Sequence, residues 1–107
     1  MWHEQEAIRR LVLESFREVD ADIFLFGSRA SGKAREHSDY DVGFVAAEPV
    51  SGRLLSALRD RLEDLPIPNH VELVDFCRVP ERFSGMVLRQ KEDLKVWKTR
   101  RENSLFI

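Results

Sequence analysis

Apolar and polar positions recur along this chain with two different periods, and the switches between them outline its elements. Between residues 4 and 19, Ile8, Leu11, Val12, Ser15/Phe16 and Val19 follow helical spacing with charges between them, which predicts an amphipathic helix. Residues 22–26 are a short apolar run ending at Gly27, as suits a central strand covered on both faces. Over residues 39–46 the period drops to two: Tyr40, Val42 and Phe44 share one side, and Asp39, Asp41 and Gly43 the other. Leu54, Leu55, Leu58, Leu62 and Leu65 restore helical spacing over residues 52–65, with Ser51 placed to cap the start and Pro66 and Pro68 to end it. Residues 70–76 read as a third strand. Pro80 opens a further helix with Phe83, Met86 and Val87 on its apolar face, and residues 94–97 form a short edge strand.

Helices that alternate with strands imply an α/β (α+β) fold: a mixed central sheet of about four strands with helices packed against it. A chain of 107 residues fits one domain, which we expect to span residues 1–98 and to leave residues 99–107 as a flexible C-terminal tail.

Composition narrows the function more by exclusion than by indication. The net charge of −2 provides no general field for nucleic acid. Positive charge exceeds negative only locally, through Lys95, Lys98, Arg100 and Arg101, with Trp97 as the lone aromatic nearby, so nucleic-acid binding is a poor fit. A single cysteine, Cys77, excludes an internal disulfide and reads as a small buried thiol. His3, His37 and His70 show no ligand spacing, and Trp2 and Phe106 suit local packing or an interface. No apolar run approaches a membrane span, and the first six residues lack a signal-peptide core; the expected location is cytoplasmic.

Chemistry concentrates in two short stretches. Gly27-Ser28 follows a buried strand, where a hydroxyl and free amides at a helix start can receive phosphate. Asp39 and Asp41, spaced i, i+2 on a strand, point to one face, where two like charges repel unless a cation sits between them. A hard divalent ion such as Mg²⁺ meets that need. Gly43 continues the same face and would leave room above the sheet. Glu72 or Asp75 would supply a third carboxylate; Val71 and Leu73 suggest the core face, which favours Glu72 for the side of the aspartates. Three carboxylates suit two Mg²⁺ ions and attack on the α-phosphorus of an NTP. Arg29, Lys33 or Arg35 could add positive charge beside the phosphates, although a solvated surface position suits each better; the candidate nucleotide-binding residues are Gly27, Ser28, Arg29 and Ser38.

Together these residues resemble the DNA polymerase β-like nucleotidyltransferase superfamily, and within it the minimal nucleotidyltransferase (MNT) branch. Gly27-Ser28, ten intervening residues and then Asp39-Tyr40-Asp41 match that pattern, with Val71-Glu72-Leu73-Val74 at the usual third-carboxylate strand. The departure is Glu72, where the family usually has Asp. The resemblance implies ATP or another NTP as substrate, with Asp39, Asp41 and Glu72 as catalytic and metal-holding residues. It further implies an antitoxin that moves AMP from ATP onto a tyrosine of a partner HEPN toxin within a hetero-oligomer. The alternative is a protein of the same fold that neutralises its partner by binding alone, a reading that Glu72 keeps open.

Overall fold

The computed structural model describes residues 3–107, so the expectation for Trp2 lies outside the described residues. The elements run α1 (Glu4–Ser15), β1 (Ala21–Phe26), α2 (Ser28–Ser31), β2 (Tyr40–Ala46), α3 (Gly52–Glu63), β3 (Val71–Asp75), α4 (Glu81–Leu88), one 3-10 turn (Lys91–Asp93) and β4 (Lys95–Lys98). The four strands form a mixed sheet in the order β3-β2-β1-β4. β1 is antiparallel to both β2 and β4, whereas β2 and β3 are parallel. A parallel pair needs a crossover, and α3 provides it.

The two sheet faces bury different residues. Ile23, Leu25, Val42, Phe44 and Leu73 pack under Ile8, Leu11, Val12 and Phe16 and under Leu55, Leu58 and Leu62 from α3. The opposite face is aromatic: Phe24, Phe26 and Phe76 meet Phe83 and Val87 of α4, with Phe24 and Phe76 edge to face at 5.0 Å. β1 is therefore buried at every position, as a strand covered on both sides must be.

Several expectations change. α1 stops at Ser15 rather than Val19, because the chain turns there and the Lys98 ammonium donates to the Phe16 and Val19 carbonyls at 2.9 and 2.7 Å. α3 is capped by Ser51 as expected but ends at Glu63, since Pro66 disfavours helical geometry in the residue before it. On α4, Phe83 and Val87 pack inward, but Met86 is 51% exposed. Cys77 is exposed, in the turn after β3, where its N–H donates to the Asp75 carboxylate at 2.9 Å.

The largest correction concerns residues 99–107, which are a docked strap rather than a loose tail. Asp22 is fully buried on β1, a position that demands complete hydrogen bonding. The strap supplies it. Arg100 donates from its backbone N–H and its Nε (2.9 and 3.1 Å), Ser104 from its hydroxyl (2.5 Å) and Leu105 from its N–H (3.1 Å). Phe106 then lies edge to face on Phe24 at 5.4 Å. The Arg101 N–H donates to Asp20. The Lys98 ammonium and the Arg100 guanidinium are thus tied into the fold, which removes half of the basic cluster as a nucleic-acid surface, and Trp97 packs on the core.

Candidate active site

Glycine at position 27 is dictated by its surroundings. Its φ is +76°, and a Cβ there would stand 2.5 Å from Oδ2 of Asp41. Gly27 ends β1, and Phe26 pairs with Asp41 on β2, so the Asp41 carboxylate rests against the turn that leads into α2. The Ala30 and Ser31 amides fold back to the Gly27 carbonyl. The amides that open a helix have no partner within it, and Ser28 stands at that opening.

On its other side Asp41 is in register with Glu72 of β3, and registered neighbours share a sheet face. Leu73 belongs to the core on the opposite face, and Asp75 shares its parity. Asp75 caps the Cys77 turn and lies 3.8 Å from Arg78, so Glu72 rather than Asp75 accompanies Asp41. Asp39 precedes β2 on an exposed position. Partial burial, followed by the charges of Asp39 and then Glu72, raises the Asp41 carboxyl above its ordinary value. The structure thus sets Asp41 against Gly27, with Glu72 in register on the neighbouring strand and the charge of Asp39 acting on Asp41. The room expected above Gly43 is absent: a Cβ there would meet the Phe76 and Phe24 rings at 2.6 and 2.7 Å, so the open part of this face begins at Asp41.

Arg29 and Ser38 serve the loop itself. The Arg29 guanidinium stacks over the Tyr40 ring at 4.4 Å and donates to the Ser38 carbonyl through Nε and Nη2 at 3.1 and 3.0 Å. The Ser38 hydroxyl accepts the Arg35 N–H at 2.8 Å. Burial, and then donation of its hydroxyl to Glu4 at 2.9 Å, raises the Tyr40 pKa. Two residues escaped the sequence reading. Asn69 donates to the Glu36 and Ser38 carbonyls at 2.8 and 3.1 Å. His70 lies 2.8 Å from a Glu72 oxygen, a bond that raises its pKa. Strand alternation was the available signal for His70, since positions 70 and 72 share a face; Asn69 had none.

Among the described residues no three His, Cys, Asp or Glu side chains form a ready metal cage. The donor set nonetheless fits a hard cation: all three carboxylates supply oxygen, and their mutual repulsion at Asp41 is what a divalent ion would relieve. Glu72 is the member already engaged, by His70.

A mixed sheet carrying Gly-Ser at one strand end and paired aspartates at the start of the next strand defines a nucleotidyltransferase. The chain belongs to the family described as Polymerase beta, Nucleotidyltransferase, whose model matches residues 10–97. It is 29% identical over 84 residues to the "Probable protein adenylyltransferase MntA" of Haemophilus influenzae, covering 78% of this chain and 73% of that protein. Its fold matches a solved toxin–antitoxin with AMP-PNP (TM-score 0.66, 21% identity), with 89% of this chain and 76% of that one covered. It also matches the complex of a tri-AMPylated Shewanella oneidensis HEPN toxin with its MNT antitoxin (TM-score 0.59, 21% identity), covering 88% and 71%. These relatives agree with the minimal-nucleotidyltransferase resemblance of the motif. No described helix is long and apolar enough to cross a membrane.

Proposed function

We propose that the protein is a Mg²⁺-dependent adenylyltransferase that moves AMP from ATP onto a tyrosine of a HEPN-type toxin and so acts as its antitoxin. The observation that carries this reading is the Asp41 carboxylate pressed against Gly27 with Glu72 in register beside it, which sets acidic groups next to a phosphate-receiving turn. The name of the Haemophilus influenzae relative, and the AMP-PNP and AMPylated toxin of the structural relatives, support ATP as donor and a toxin as acceptor.

Asp39 and Asp41, with Glu72 as the third group, would hold the metal, which when bound supplies charge neutralisation at the triphosphate. Ser28 and the neighbouring amides receive phosphate oxygens, and Arg29 keeps the loop that carries Asp39 in place. The tyrosine oxygen forms its bond to the α-phosphorus as its hydroxyl proton passes to water, and pyrophosphate leaves with the electron pair of the broken P–O bond. Most of the rate then comes from positioning and electrostatics.

A second reading, neutralisation by binding alone, is favoured by one observation: Glu72 is turned onto His70. Intact mass of the toxin after incubation with ATP and Mg²⁺ separates the two. The transferase reading expects one or more added AMP units that vanish with the Asp39→Asn/Asp41→Asn variant. No added mass, with a stable complex and an inhibited toxin, supports the binder.

A further inference from the structure

We propose that Asn69 is a positioning residue of this site, holding the backbone from which Asp39 projects. The proposal rests on the nucleotidyl-transfer reading for its meaning but on hydrogen bonds for its geometry. Asp39 precedes β2, at the end of an exposed loop that follows α2. The ladder begins one residue later, where the Tyr40 N–H donates to the His70 carbonyl at 2.9 Å. Something else must fix the peptide just before Asp39, and the Ser38 carbonyl does so by accepting three N–H groups. Two come from Arg29 on α2, and the third is Nδ2 of Asn69 at 3.1 Å, from 31 residues away in sequence. The same Asn69 amide also takes the Glu36 carbonyl at 2.8 Å, so it grips the loop at two points.

The position of Asn69 in the chain gives this grip its consequence. It leads into β3, three residues before Glu72, and its neighbour His70 holds both the start of β2 and the Glu72 carboxylate. One dipeptide therefore ties the loop of Asp39 to the strand of Glu72, with Asp41 between them. The spacing of the outer carboxylates is set from 69–70 and not from the acidic residues themselves. Arg29 grips the same carbonyl, but its guanidinium also packs on Tyr40, so replacing it would disturb the core as well as the loop. Asn69 is the cleaner probe.

The test uses the full chain with Asn69→Ala and, as a shape-preserving second variant, Asn69→Asp, which removes the donor and turns a carboxylate toward two carbonyls. Three quantities are read: amide exchange of residues 36–39 in metal-free protein, direct Mn²⁺ titration without nucleotide, and the Mg²⁺ concentration for half-maximal transfer. Both variants should lose exchange protection at Ser38, whose N–H donates to the Arg35 carbonyl at 3.0 Å. They should also weaken Mn²⁺ binding and raise the Mg²⁺ midpoint on the order of ten-fold, as expected when a partner behind a metal ligand is removed, while KM for ATP changes little. A variant that is less heat-stable but keeps native exchange, Mn²⁺ binding and Mg²⁺ midpoint would overturn the proposal and leave Asn69 a fold residue. Should the unaltered protein transfer nothing, the transferase reading fails by itself. Exchange and Mn²⁺ titration then decide the positioning role alone, with faster exchange and weaker binding supporting it and unchanged values rejecting it.

Discussion

The two ends of the sheet handle negative charge in opposite ways. Near the start of β1, Asp22 is fully buried and saturated: four groups of the strap donate to it, and the Arg100 guanidinium balances its charge at 3.1 Å. Near the far end of β1, Asp41 is only partly buried and faces two further carboxylates, which make it harder to ionise. Among the described residues the charge that works the other way on Asp41 is His70, which is itself bonded to Glu72. A carboxylate whose every lone pair is occupied builds structure. A carboxylate left under-coordinated among its own kind is a binding site awaiting positive charge.

Neutralising the aspartate at one end or the other should therefore move stability in opposite directions. Asp22→Ala leaves the Arg100 guanidinium without its counter-ion in a nearly dry place, at a cost of about 3–5 kcal/mol. For a domain of this size that lowers the melting temperature by roughly 12 °C or more, measurable by calorimetry. Gly27→Ala comes next. It strains a left-handed position, at about 1–3 kcal/mol, and drives a methyl into Asp41, so transfer activity should fall further than stability does.

Asp41→Asn is expected to raise the melting temperature by a few degrees in metal-free buffer. The folded state holds the Asp41 pKa above its ordinary 3.8, so the unfolded chain binds fewer protons once pH passes that value. Ionisation therefore removes stability as pH rises through the folded pKa, and the amide avoids that loss. Mg²⁺ should stabilise the unaltered protein and leave this variant unmoved. A metal-free Asp41→Asn variant that melts lower than the unaltered protein would break the comparison.

The smallest effect is expected at His70. Its pKa is raised above 6.5, first of all by the bond to Glu72, so its contribution is complete below that pH and fades as pH rises through the folded value. The pair is exposed, which limits it to less than about 1 kcal/mol. His70→Gln should flatten this part of the stability profile above pH 6.5.

Local periodicity made the elements and the sheet faces legible. The alternation through Tyr40, Val42 and Phe44 placed Asp41 on the polar side, and the parity of Val71 and Leu73 placed Glu72 with it. The misses share one cause, which is distance along the chain. Asp22 looks like an ordinary strand residue until its partners arrive from 78 to 83 positions away. Arg29 shows nothing in the sequence of its grip on the Ser38 carbonyl and its stacking on Tyr40. The vacancy over Gly43 disappeared because rings from Phe24 and Phe76 lean into it. A pattern read along the chain reports which face a side chain takes, but not what will reach it there.

The strap that seals Asp22 also imposes an order on how the molecule comes into being. β1 joins the sheet centre early in the sequence, yet one of its buried groups stays uncompensated until residues 100–105 have been synthesised. β4 and the strap close the longest loops in the fold, and such closures are entropically slow. Folding should accordingly wait for translation to pass Leu105. A nascent chain cut short before that point would present an unsatisfied aspartate and a bare Phe24 to the cell's quality control.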